Sequence, residues 1–434
     1  MKSILKKILP EWVFRFYHFT LAWTAVLLCG MPSRKLIVIG VTGTKGKTSA
    51  INYIWSVLTA SNIKTGIITT ANVRIGDKEI LNPFHMTMPG KFQIQKFLKQ
   101  MVSEKVEVAI VETTSQGILQ YRHLGIDYDV AIFTNLSPEH IDAHKTFENY
   151  KQTKGKLFEL LHKTKQKSFH GEEFPKTIIA NVDNEHAPYF LSFDASKKLT
   201  FSINQKSDFQ AVNISTSKSG SEFDVASDHY ALSILGVFNI YNALPAIAVA
   251  TLFSIPSDIV SKGVSGLSVI PGRMEEVIMG QDFRVFVDYA HEKQSMNYVV
   301  EAGNTLKASG KLIILLGAEG GGRDKAKRAD MGHIVGKYAD LVVVSNVDPY
   351  EDDPTPIVED IARVAESEGK ERDKNLFVIE DRRQGINKSL SIASAGDVVI
   401  ITGKGAEQSM IIGGQSIPWD DRDVVREELK KILR

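Results

Sequence analysis

The sequence predicts an α/β protein: a phosphate-loop central domain with a mainly parallel sheet, followed by a second, Rossmann-like α/β domain. From Lys35 onward, short β-branched runs alternate with helical stretches, the pattern of a parallel sheet with helices on both faces. A Pro-Gly break at 269–273 interrupts the pattern, and a second strand and helix series follows it. We therefore expect two α/β domains, at residues 36–270 and 271–434, after a hydrophobic N-terminal helical extension at residues 1–35.

The predicted strands form two series, one on each side of the break. The first series comprises residues 36–41, 66–70, 106–112, 130–135 and 176–181. Weaker alternation between residues 201 and 235 is typical of edge hairpins, and an apolar helix is predicted from Asn239. The second series comprises residues 285–289, 312–317, 341–345 and 398–402, and a charged surface helix ends the chain.

Composition and charge exclude several classes of protein. The chain has 434 residues with 52 Lys and Arg against 51 Asp and Glu, so a net charge of +1 provides no field for wrapping nucleic acid. Its one cysteine, Cys29, cannot form an internal disulfide, and no Cys/His cluster has the spacing of a zinc site. We therefore expect no nucleic-acid partner and a reducing, cytoplasmic setting.

The first 35 residues differ from the rest of the chain. Three lysines precede an almost uncharged run at 19–29, which is shorter than the roughly 20 residues needed to span a bilayer. Aromatic residues recur there at helical spacing: Trp12, Phe16, Phe19 and Trp23. They predict one face of a helix, and we favour packing of that face on the protein. Contact with a membrane surface through residues 8–29 is the alternative.

A glycine loop follows the first predicted strand and precedes a predicted helix at 49–59. It reads Thr42-Gly43-Thr44-Lys45-Gly46-Lys47-Thr48, and Ser49 opens the helix. The glycines let backbone N–H groups face an anion, the second lysine can meet the β- and γ-phosphates, and the last threonine can ligate Mg²⁺. The usual first glycine of this pattern would fall at Val41, whereas Gly40 lies one place earlier, so a chance glycine turn is the alternative. We interpret the loop as an ATP site.

Eight short sequence blocks follow one another along most of the chain. They read GVTGTKGKT at 40–48, ETTS at 112–115, TNLSPEHID at 134–142, GVFNIYNA at 236–243, PGRME at 271–275, DYAH at 288–291, GRDK at 322–325 and GKGAE at 403–407. In spelling and order they resemble the Mur ligases, ATP-dependent enzymes that join amino acids to peptidoglycan precursors. Within that family the chain is most similar to members that add the third residue of the stem peptide.

Two residues that follow predicted strands are candidate metal ligands. Joining a carboxylate to the γ-phosphate brings anionic oxygens together, and Mg²⁺ can neutralise their repulsion. Glu112 ends a strand, where parallel sheets place their ligands. The resemblance implies that Glu112, His140 and Thr48 bind Mg²⁺, at two sites, and that Lys47, Glu112 and His140 are catalytic. Taken alone, Glu112 also fits a solvated carboxylate and His140 a capping or packing residue.

Lys154 follows Tyr150 at the spacing of a lysine that the resembling family carbamylates with CO₂. Carbamylation turns a cation into an anion that can help to hold Mg²⁺, whereas an unmodified lysine cannot ligate a metal. The resemblance therefore implies a carbamate and a catalytic, metal-binding role at Lys154. The alternative is a solvated basic helix face formed with Lys151 and Lys156.

The resemblance also implies the rest of the nucleotide site. Four residues match family positions near adenine, ribose and phosphate: Asn242, Arg273, Asp288 and His291. Two more, Arg323 and Lys325, follow a glycine-rich turn from which they can close over phosphates. An aspartate at a strand end can accept ribose hydroxyls, and guanidinium groups suit phosphates. The alternatives are a helix cap for Asn242, a linker salt bridge for Arg273 and a solvated patch for the last two.

For the acceptor, the resemblance implies that Thr87, Thr114 and Arg122 contact a muramoyl-peptide. The chain departs from the family pattern here, since Gln116 replaces a usual histidine and Met88 a usual threonine. The family also has an extra N-terminal domain that holds the UDP end, for which the 35 residues before the first strand leave no room. The carrier on the acceptor is therefore open, and a lipid-linked or partner-presented acceptor is one possibility.

The amino acid that is added is indicated by a further departure. The family motif Asp-Asn-Pro-Arg, which selects diaminopimelate, reads Val-Asp-Pro-Tyr at 347–350. Without the arginine, the distal carboxylate of diaminopimelate loses a bidentate partner, which favours L-lysine or another diamino acid. The candidate amino-acid-binding residues are Asp348, Tyr350 and Glu407. Acidic side chains at 348, 352, 353 and 407 can hold an ammonium group or form a solvated loop.

We interpret the chain as a monomeric ligase that uses ATP to add an amino acid to a muramoyl-dipeptide-like acceptor through an acyl phosphate. The alternatives are a folylpolyglutamate-type or other glutamyl-adding ligase and a P-loop protein that binds ATP without ligation. The sequence at 134–150 argues against the folylpolyglutamate-type ligase. The joint presence of Glu112, His140 and Lys154 argues against a protein that binds ATP without ligation.

Overall fold

The computed structural model describes residues 11–84, 86–139, 144–217, 219–307, 309–322 and 325–433. Two sheets with helices on both faces confirm the predicted α/β class. The first sheet receives its last helix at Ser257–Gly266, and the second sheet begins at Glu275–Glu276. The division at residues 35 and 270 stays a prediction.

The strands between residues 37 and 232 form the first sheet and one small separate hairpin. They are β1 (Ile37–Thr42), β2 (Thr65–Ile68), β3 (Asn72–Ile75), β4 (Lys78–Leu81), β5 (Val108–Glu112), β6 (Val130–Phe133), a small separate hairpin β7 (Lys167–Phe169) and β8 (Glu172–Phe174), then β9 (Thr177–Asn181), β10 (Lys197–Ser202), β11 (Phe209–Ser217), β12 (Gly220–Val225) and β13 (Asp228–Leu232). The order in space is β13-β12-β11-β10-β9-β6-β1-β5-β2-β3-β4. Strands β11 to β2 in that order run parallel, and antiparallel hairpins extend both edges, as the weak alternation at 201–235 predicts for one of them.

Helices cover both faces of this sheet. They are α1 (Glu11–Cys29), α2 (Lys47–Ala60), α3 (Lys91–Ser103), α4 (Ser115–Leu119), α5 (Phe147–Glu159), α6 (Ala187–Leu191), α7 (Phe238–Leu252) and α8 (Ser257–Gly266). Helices α2, α7 and α8 share one apolar core with alternate residues of β1, and α3, α5 and α6 share the opposite core with the others. Helix α1 packs on α3. Burial on both faces explains why the parallel strands read as unbroken apolar runs.

The second sheet is smaller and has its own two cores. Its strands are β14 (Glu275–Glu276), β15 (Arg284–Asp288), β16 (Leu312–Leu316), β17 (Leu341–Val344), β18 (Leu376–Val378) and β19 (Val398–Thr402), in the order β14-β15-β19-β16-β17-β18, and β20 (Ser409–Ile412) and β21 (Gln415–Pro418) form a hairpin beside it. Its helices are α9 (Lys293–Leu306), α10 (Ala326–Tyr338), α11 (Pro354–Ser367), α12 (Arg382–Ser391) and α13 (Asp421–Ile432). Helices α9 to α11 cover one face, and α12 and α13 the other.

Topology determines where a ligand can bind. Strand β1 lies between β5 and β6, all three parallel, so the loops that follow them meet at one edge of the first sheet. Within the part of the chain that the structure describes, none of the helices is both long enough and apolar enough to cross a membrane.

Candidate active site

The glycine loop after β1 has the conformation that an anion-binding loop requires. Gly43 and Gly46 have φ angles of 151° and 79°, where side chains are disfavoured. A Cβ atom at Gly43 would lie 2.0 Å from Thr134 Oγ1, and one at Gly46 would lie 2.3 Å from Asn242 Oδ1. Gly40 acts in packing instead, because a Cβ there would lie 2.7 Å from the Tyr128 ring.

The segment after β6 supports the loop. The backbone N–H of Thr44 donates to the Asn135 carbonyl at 2.8 Å, and the N–H of Lys45 donates to Asn135 Oδ1 at 2.9 Å. Thr134 Oγ1 donates to the Lys45 carbonyl at 2.7 Å. Thr134 and Asn135 are not among the residues predicted for the site, although their position after a strand next to β1 is a usable signal.

Glu112, at the end of β5, meets the first turn of α2. Thr48 Oγ1 donates to Glu112 Oε2 at 2.8 Å, and Lys47 Nζ lies 4.0 Å from Glu112 Oε1. The backbone N–H and the hydroxyl of Thr70 also donate to the same carboxylate, at 2.9 and 3.1 Å. A buried carboxylate oxygen and a hydroxyl oxygen this close together are the ligands that Mg²⁺ prefers, so these residues fit a magnesium ion.

Lys154 lies on the other side of the loop. Its side chain is buried, and Nζ donates to the Gly43 carbonyl at 2.8 Å and lies 4.5 Å from the centre of the Tyr150 ring. Burial, reinforced by the nearby Lys47 ammonium, holds the pKa of Lys154 well below its usual value. The alternative of a solvated basic face is therefore wrong for Lys154, although Lys156 on the same helix is exposed.

His140 falls outside the described residues, so its predicted metal role stays a prediction. Among the residues that are described, no group of three or more His, Cys, Asp or Glu side chains is arranged to hold a metal ion. Arg323 also falls outside the described part of the chain.

The second sheet contributes the opposite wall of the same cleft. The cleft measures about 1020 Å³ and is lined by the glycine loop, Glu112 and Lys154 on one side and by Arg273, Asp288, His291 and Glu407 on the other. Arg273 reaches across it, with Nη2 3.5 Å from Thr48 Oγ1 and its guanidinium 4.3 Å from the centre of the Tyr289 ring. The structure therefore brings most of the predicted nucleotide residues to one cleft.

Burial shifts the pKa values of two titratable groups in this wall. Asp288 accepts hydrogen bonds from the backbone N–H groups of Met274 and Ala290 at 2.8 and 2.7 Å, yet burial raises the pKa of its carboxyl group. Burial, with the charge of Lys45, lowers the pKa of His291 to about 4, so this imidazole is neutral at pH 7.

Two further predicted nucleotide residues lie in different settings. Asn242 is buried in α7, lines the cleft, and donates to Asn239 Oδ1 at 2.9 Å. Lys325 precedes α10 and is not among the cleft-lining residues, whereas Ala326 and Lys327 after it are.

A bridge of charged side chains connects the two sheets, and it was not predicted from the sequence. Lys45 Nζ lies 3.1 Å from Glu139 Oε1 and 3.1 Å from Glu292 Oε1. Glu139 follows β6 of the first sheet, and Glu292 follows β15 of the second sheet. Burial opposes the charge of Lys45, but the two carboxylates outweigh it and raise the pKa of Lys45. No local pattern signals this bridge, since its three members are far apart in the sequence.

The predicted acceptor residues line one end of the cleft. The hydroxyl oxygens of Thr87 and Thr70 lie 2.9 Å apart, which connects Thr87 to Glu112 through Thr70. Thr114 caps α4 by accepting from the Gly117 N–H at 3.1 Å. Arg122 donates to the Met88 carbonyl and to Gln120 Oε1. All three border the same cleft as the glycine loop.

The three residues predicted to bind the incoming amino acid do not line the cleft together. Asp348 is fully buried, with its carboxylate 2.7 Å from Lys404 Nζ and accepting from the Ile411 N–H, so in this structure it is not open to a ligand's ammonium. Glu407 lines the cleft and is also paired with Lys404 at 2.7 Å, and Tyr350 lies outside the lining. The acidic loop is not simply solvated, because Asp352 accepts from the Gly321 N–H and Asp353 caps α11.

Two sheets, a phosphate loop and an oxygen-lined cleft define a P-loop enzyme that acts on a nucleotide. Comparison with protein families narrows this class. Residues 41–250 match the Mur ligase middle domain, and residues 272–405 match the Mur ligase, glutamate ligase domain. The chain belongs to the Mur ligase family and is an ATP-dependent ligase, which confirms the resemblance seen in the sequence blocks.

Individual relatives agree with this family. The chain is 37% identical over 403 residues to the UDP-N-acetylmuramoyl-L-alanyl-D-glutamate--2,6-diaminopimelate ligase of Caldanaerobacter subterraneus subsp. tengcongensis, covering 92% of this chain and 79% of the relative. It is 35% identical over 431 residues to the ligase of that name from Bacillus licheniformis, covering 98% and 84%.

Solved structures share the fold. A structure with the same ligase name matches with a TM-score of 0.60 and 27% identity, covering 92% of this chain and 79% of that one. Folylpolyglutamate synthase from Mycobacterium tuberculosis, complexed with ADP and AMPPCP, matches with a TM-score of 0.68 and 18% identity, covering 88% and 92%. At that identity the second match shows the fold alone.

Proposed function

We propose that this enzyme uses ATP to add a diamino acid to a UDP-N-acetylmuramoyl-dipeptide-like acceptor in peptidoglycan precursor synthesis. The observation that carries the proposal is the placement of Lys47, Thr48 and Glu112 in the same cleft as Thr87, Thr114 and Arg122. A carboxylate held by the second group can then approach a γ-phosphate held by the first. The relatives' printed names support the acceptor class.

The chemistry follows from that placement. The acceptor carboxylate attacks the γ-phosphorus, the bond to the β-phosphate oxygen breaks, and ADP leaves. The neutral amine of the incoming amino acid then attacks the acyl carbon, the C–O bond to phosphate breaks, and phosphate leaves with its electron pair. The proton that the nitrogen loses passes to the departing phosphate, which leaves the amide. Lys47 provides positive charge for the phosphoryl oxygens, and the cleft holds the two reactants next to each other.

Thr48 and Glu112 would hold Mg²⁺, and His140 is the proposed ligand of a second site. The ion supplies charge neutralisation between the two anionic reactants. Lys47, only 4.0 Å from Glu112, supports this role because it shows that a cation is tolerated beside the carboxylate. Gly43 to Ser49, Asn242, Arg273, Asp288 and His291 are the proposed ATP contacts, together with Arg323 and Lys325.

A carbamate on Lys154 is part of the proposal. Only a neutral amine attacks CO₂, and the lowered pKa of this buried lysine favours the neutral form. The product would place an anionic group beside the glycine loop, where Lys45 and Lys47 are both close enough to affect the charge of Lys154. The carbamate would thereby replace an unfavourable cation with a favourable anion.

The amino acid added is the least constrained substrate. The relatives are named for 2,6-diaminopimelate, whereas Val347 to Tyr350 lack the arginine that would bind its distal carboxylate. We retain the proposal of L-lysine or another diamino acid, with Glu407 as its ammonium contact. Asp348 is left out of this contact because Lys404 already neutralises it.

The test is a product assay by mass spectrometry. The protein is incubated with Mg-ATP, UDP-N-acetylmuramoyl-L-alanyl-D-glutamate and one amino acid at a time, and products and ADP are measured. We expect one diamino acid to give an acceptor heavier by that residue, with one ADP per amide. A preference for meso-diaminopimelate would overturn the lysine proposal alone. In a parallel reaction with a folate acceptor and glutamate, product formation would overturn the function and favour the folylpolyglutamate alternative. ATP binding without ADP release in any reaction would favour the non-ligating one.

We further propose a cytoplasmic monomer in which residues 36–270 and 271–434 are the two catalytic domains. A cytoplasmic location follows from the need for ATP, and light scattering with the purified chain tests the monomer. A mass of about twice 48.1 kDa would contradict it.

A further inference from the structure

Helix α1 has two apolar faces, of which the protein covers one. Ala22, Ala25 and Val26 are buried where α1 packs on α3 and on the turn at 121–125. The contact is close, since a Cβ atom at Gly125 would lie 2.2 Å from a Val26 methyl group. Small residues on this face allow the approach, and they anchor α1 as a fixed element of the surface.

The opposite face of α1 is apolar and open to solvent. Phe16, Trp23 and Leu27 recur at intervals of seven and four residues, so they form one stripe along the helix. The exposed apolar residues of this surface, here called the outer face, are Phe16, Tyr17, Phe19, Trp23, Leu27 and Leu28, with Phe16 and Leu27 each 64% exposed and Leu28 70% exposed. Isolated apolar residues are common on surfaces, but a continuous face of this kind indicates an interaction site.

The polar residues within the outer face do not oppose its burial. Thr20 Oγ1 donates to the Phe16 carbonyl at 3.1 Å, and Thr24 Oγ1 donates to the Thr20 carbonyl at 2.9 Å. Because the helix backbone already accepts from these hydroxyls, their O–H donors keep a partner when the face leaves water.

Charge is distributed unevenly along the sequence that contains this helix. Residues 1–35 contain six Lys or Arg and one acidic residue, Glu11, whereas the whole chain contains 52 and 51. On α3, next to α1, Lys96 and Lys99 are exposed. An apolar face with aromatic residues, bordered by cationic side chains in a nearly neutral protein, complements a negatively charged lipid surface.

We propose that the outer face of α1 docks on the surface of an anionic lipid bilayer. The six aromatic and aliphatic side chains enter the interface between headgroups and acyl chains, where tryptophan and tyrosine are favoured. The exposed lysines of the neighbouring helix α3, Lys96 and Lys99, contact the lipid phosphates. The helix lies along the surface, in keeping with the absence of a membrane-crossing helix from the described residues.

Docking would fix how the cleft faces the bilayer. His18 Nδ1 lies 2.9 Å from Lys91 Nζ, and the Phe19 ring meets the Tyr121 ring with centroids 5.8 Å apart. Tyr121 directly precedes Arg122, which lines the proposed acceptor end of the cleft. This consequence rests on the proposed function, whereas docking itself does not: it places the carrier end of the acceptor next to the lipid surface.

The experiment measures co-sedimentation of the full chain with vesicles. Vesicles of phosphatidylcholine and phosphatidylglycerol at equal parts are compared with vesicles of phosphatidylcholine alone, and no substrate is present. We expect binding to the anionic vesicles that falls at least about tenfold between 0.1 and 1 M NaCl, because the screening length shortens from about 10 to 3 Å. The triple variant Phe16→Ser, Trp23→Ser, Leu27→Ser should lose at least about tenfold in binding.

The controls separate docking from other causes. Ile278→Ser removes an apolar residue that is 75% exposed elsewhere and should leave vesicle binding unchanged. Equal melting temperatures establish that the triple variant is folded, and the single variant Leu28→Ser replaces it if it is not. No binding to the anionic vesicles, or equal binding by variant and unaltered chain, overturns the proposal. Self-association that the triple variant abolishes, without vesicle binding, assigns the face to a second copy and also overturns it.

Discussion

The two ends of the cleft are built in different ways. At the phosphate end, residues consecutive in the sequence provide the charge and the hydroxyl, and single residues from β5 and α5 complete the group. At the end near β20, Lys404 is fully buried between Asp348 and Glu407, at 2.7 Å from each, and these acidic residues come from separate loops. At the first end, polar side chains line the cleft. At the second end, the charged side chains are mostly paired with one another.

This difference indicates what each end contributes. A buried ion pair is costly to break because the remaining partner loses both water and its counter-charge. The Lys404 group therefore acts first as a structural unit that positions Glu407, and the phosphate end acts directly on the reactants. Variants at the first end should change turnover, and variants at the second should change stability and amino-acid affinity.

The largest effect is expected at Glu112. Glu112→Gln keeps an acceptor for Thr70 and Thr48 but removes the charge that would hold Mg²⁺, so kcat should fall by about 10³-fold with little change in melting temperature. ADP release measures kcat. The matched control is Glu107→Gln, which alters a partly exposed carboxylate just before the same strand and should change kcat by no more than about twofold. Retention of more than about a tenth of kcat in Glu112→Gln would contradict the metal role.

Lys154 tests the carbamate at the same end. Lys154→Ala should lower kcat by about 10²-fold, and added formate or acetate should restore part of it by supplying a carboxylate in the space left by the side chain. Lys156→Ala, two residues along the same helix and exposed, is the control and should behave like the unaltered enzyme.

Recovery by carboxylates separates the carbamate from a simple packing role, which they would not restore. Full activity of Lys154→Ala, or a loss that carboxylates leave unchanged, counts against the modification. A mass increase of one CO₂ on the unaltered chain, absent from Lys154→Ala, is an independent measurement of the same claim.

The contrast between the two ends also explains what could be predicted from the sequence. Gly43 to Thr48 are contiguous, and their strand and helix neighbours follow from local periodicity, so the loop and its position at the strand ends could be predicted. Lys154 could be selected only through the family resemblance, since a basic helix face was equally compatible with the spacing. Its burial follows from packing against β1, which no local pattern reports.

The missed and misplaced residues share one physical cause. The partners of Lys45 come from residues 139 and 292, and the partner of Asp348 from residue 404, so each pairing depends on how distant segments meet. The sequence of an acidic loop does not distinguish carboxylates that face water from those that face a ligand or a buried lysine. Sequence alone therefore identified Asp348 as a charged residue near the site but not as one already neutralised.

Lys404 tests the structural character of the second end. Lys404→Met leaves the buried Asp348 carboxylate without its cation, so the free energy of unfolding should fall by about 3–5 kcal/mol. Thermal or urea unfolding measures the change. Lys374→Met, which removes an exposed ion pair with Glu371, should cost no more than about 1 kcal/mol. Equal stability losses in the two variants would show that the Lys404 group is not a structural unit.

The smallest effect is expected at Lys45, which forms the bridge between the two walls of the cleft. Lys45→Gln leaves Glu139 and Glu292 without the cation that separates them, and their repulsion should favour a more open cleft. We expect kcat/KM for ATP to fall about fivefold, and a double-mutant cycle with Glu292→Gln should give a coupling energy of about 1 kcal/mol. Glu292→Gln retains an oxygen that can cap α9, so the cycle reports the ion pair more than the cap. Additive effects would mean that Lys45 acts on the phosphates alone, and the two walls of the cleft would then be joined through Arg273 rather than through this bridge.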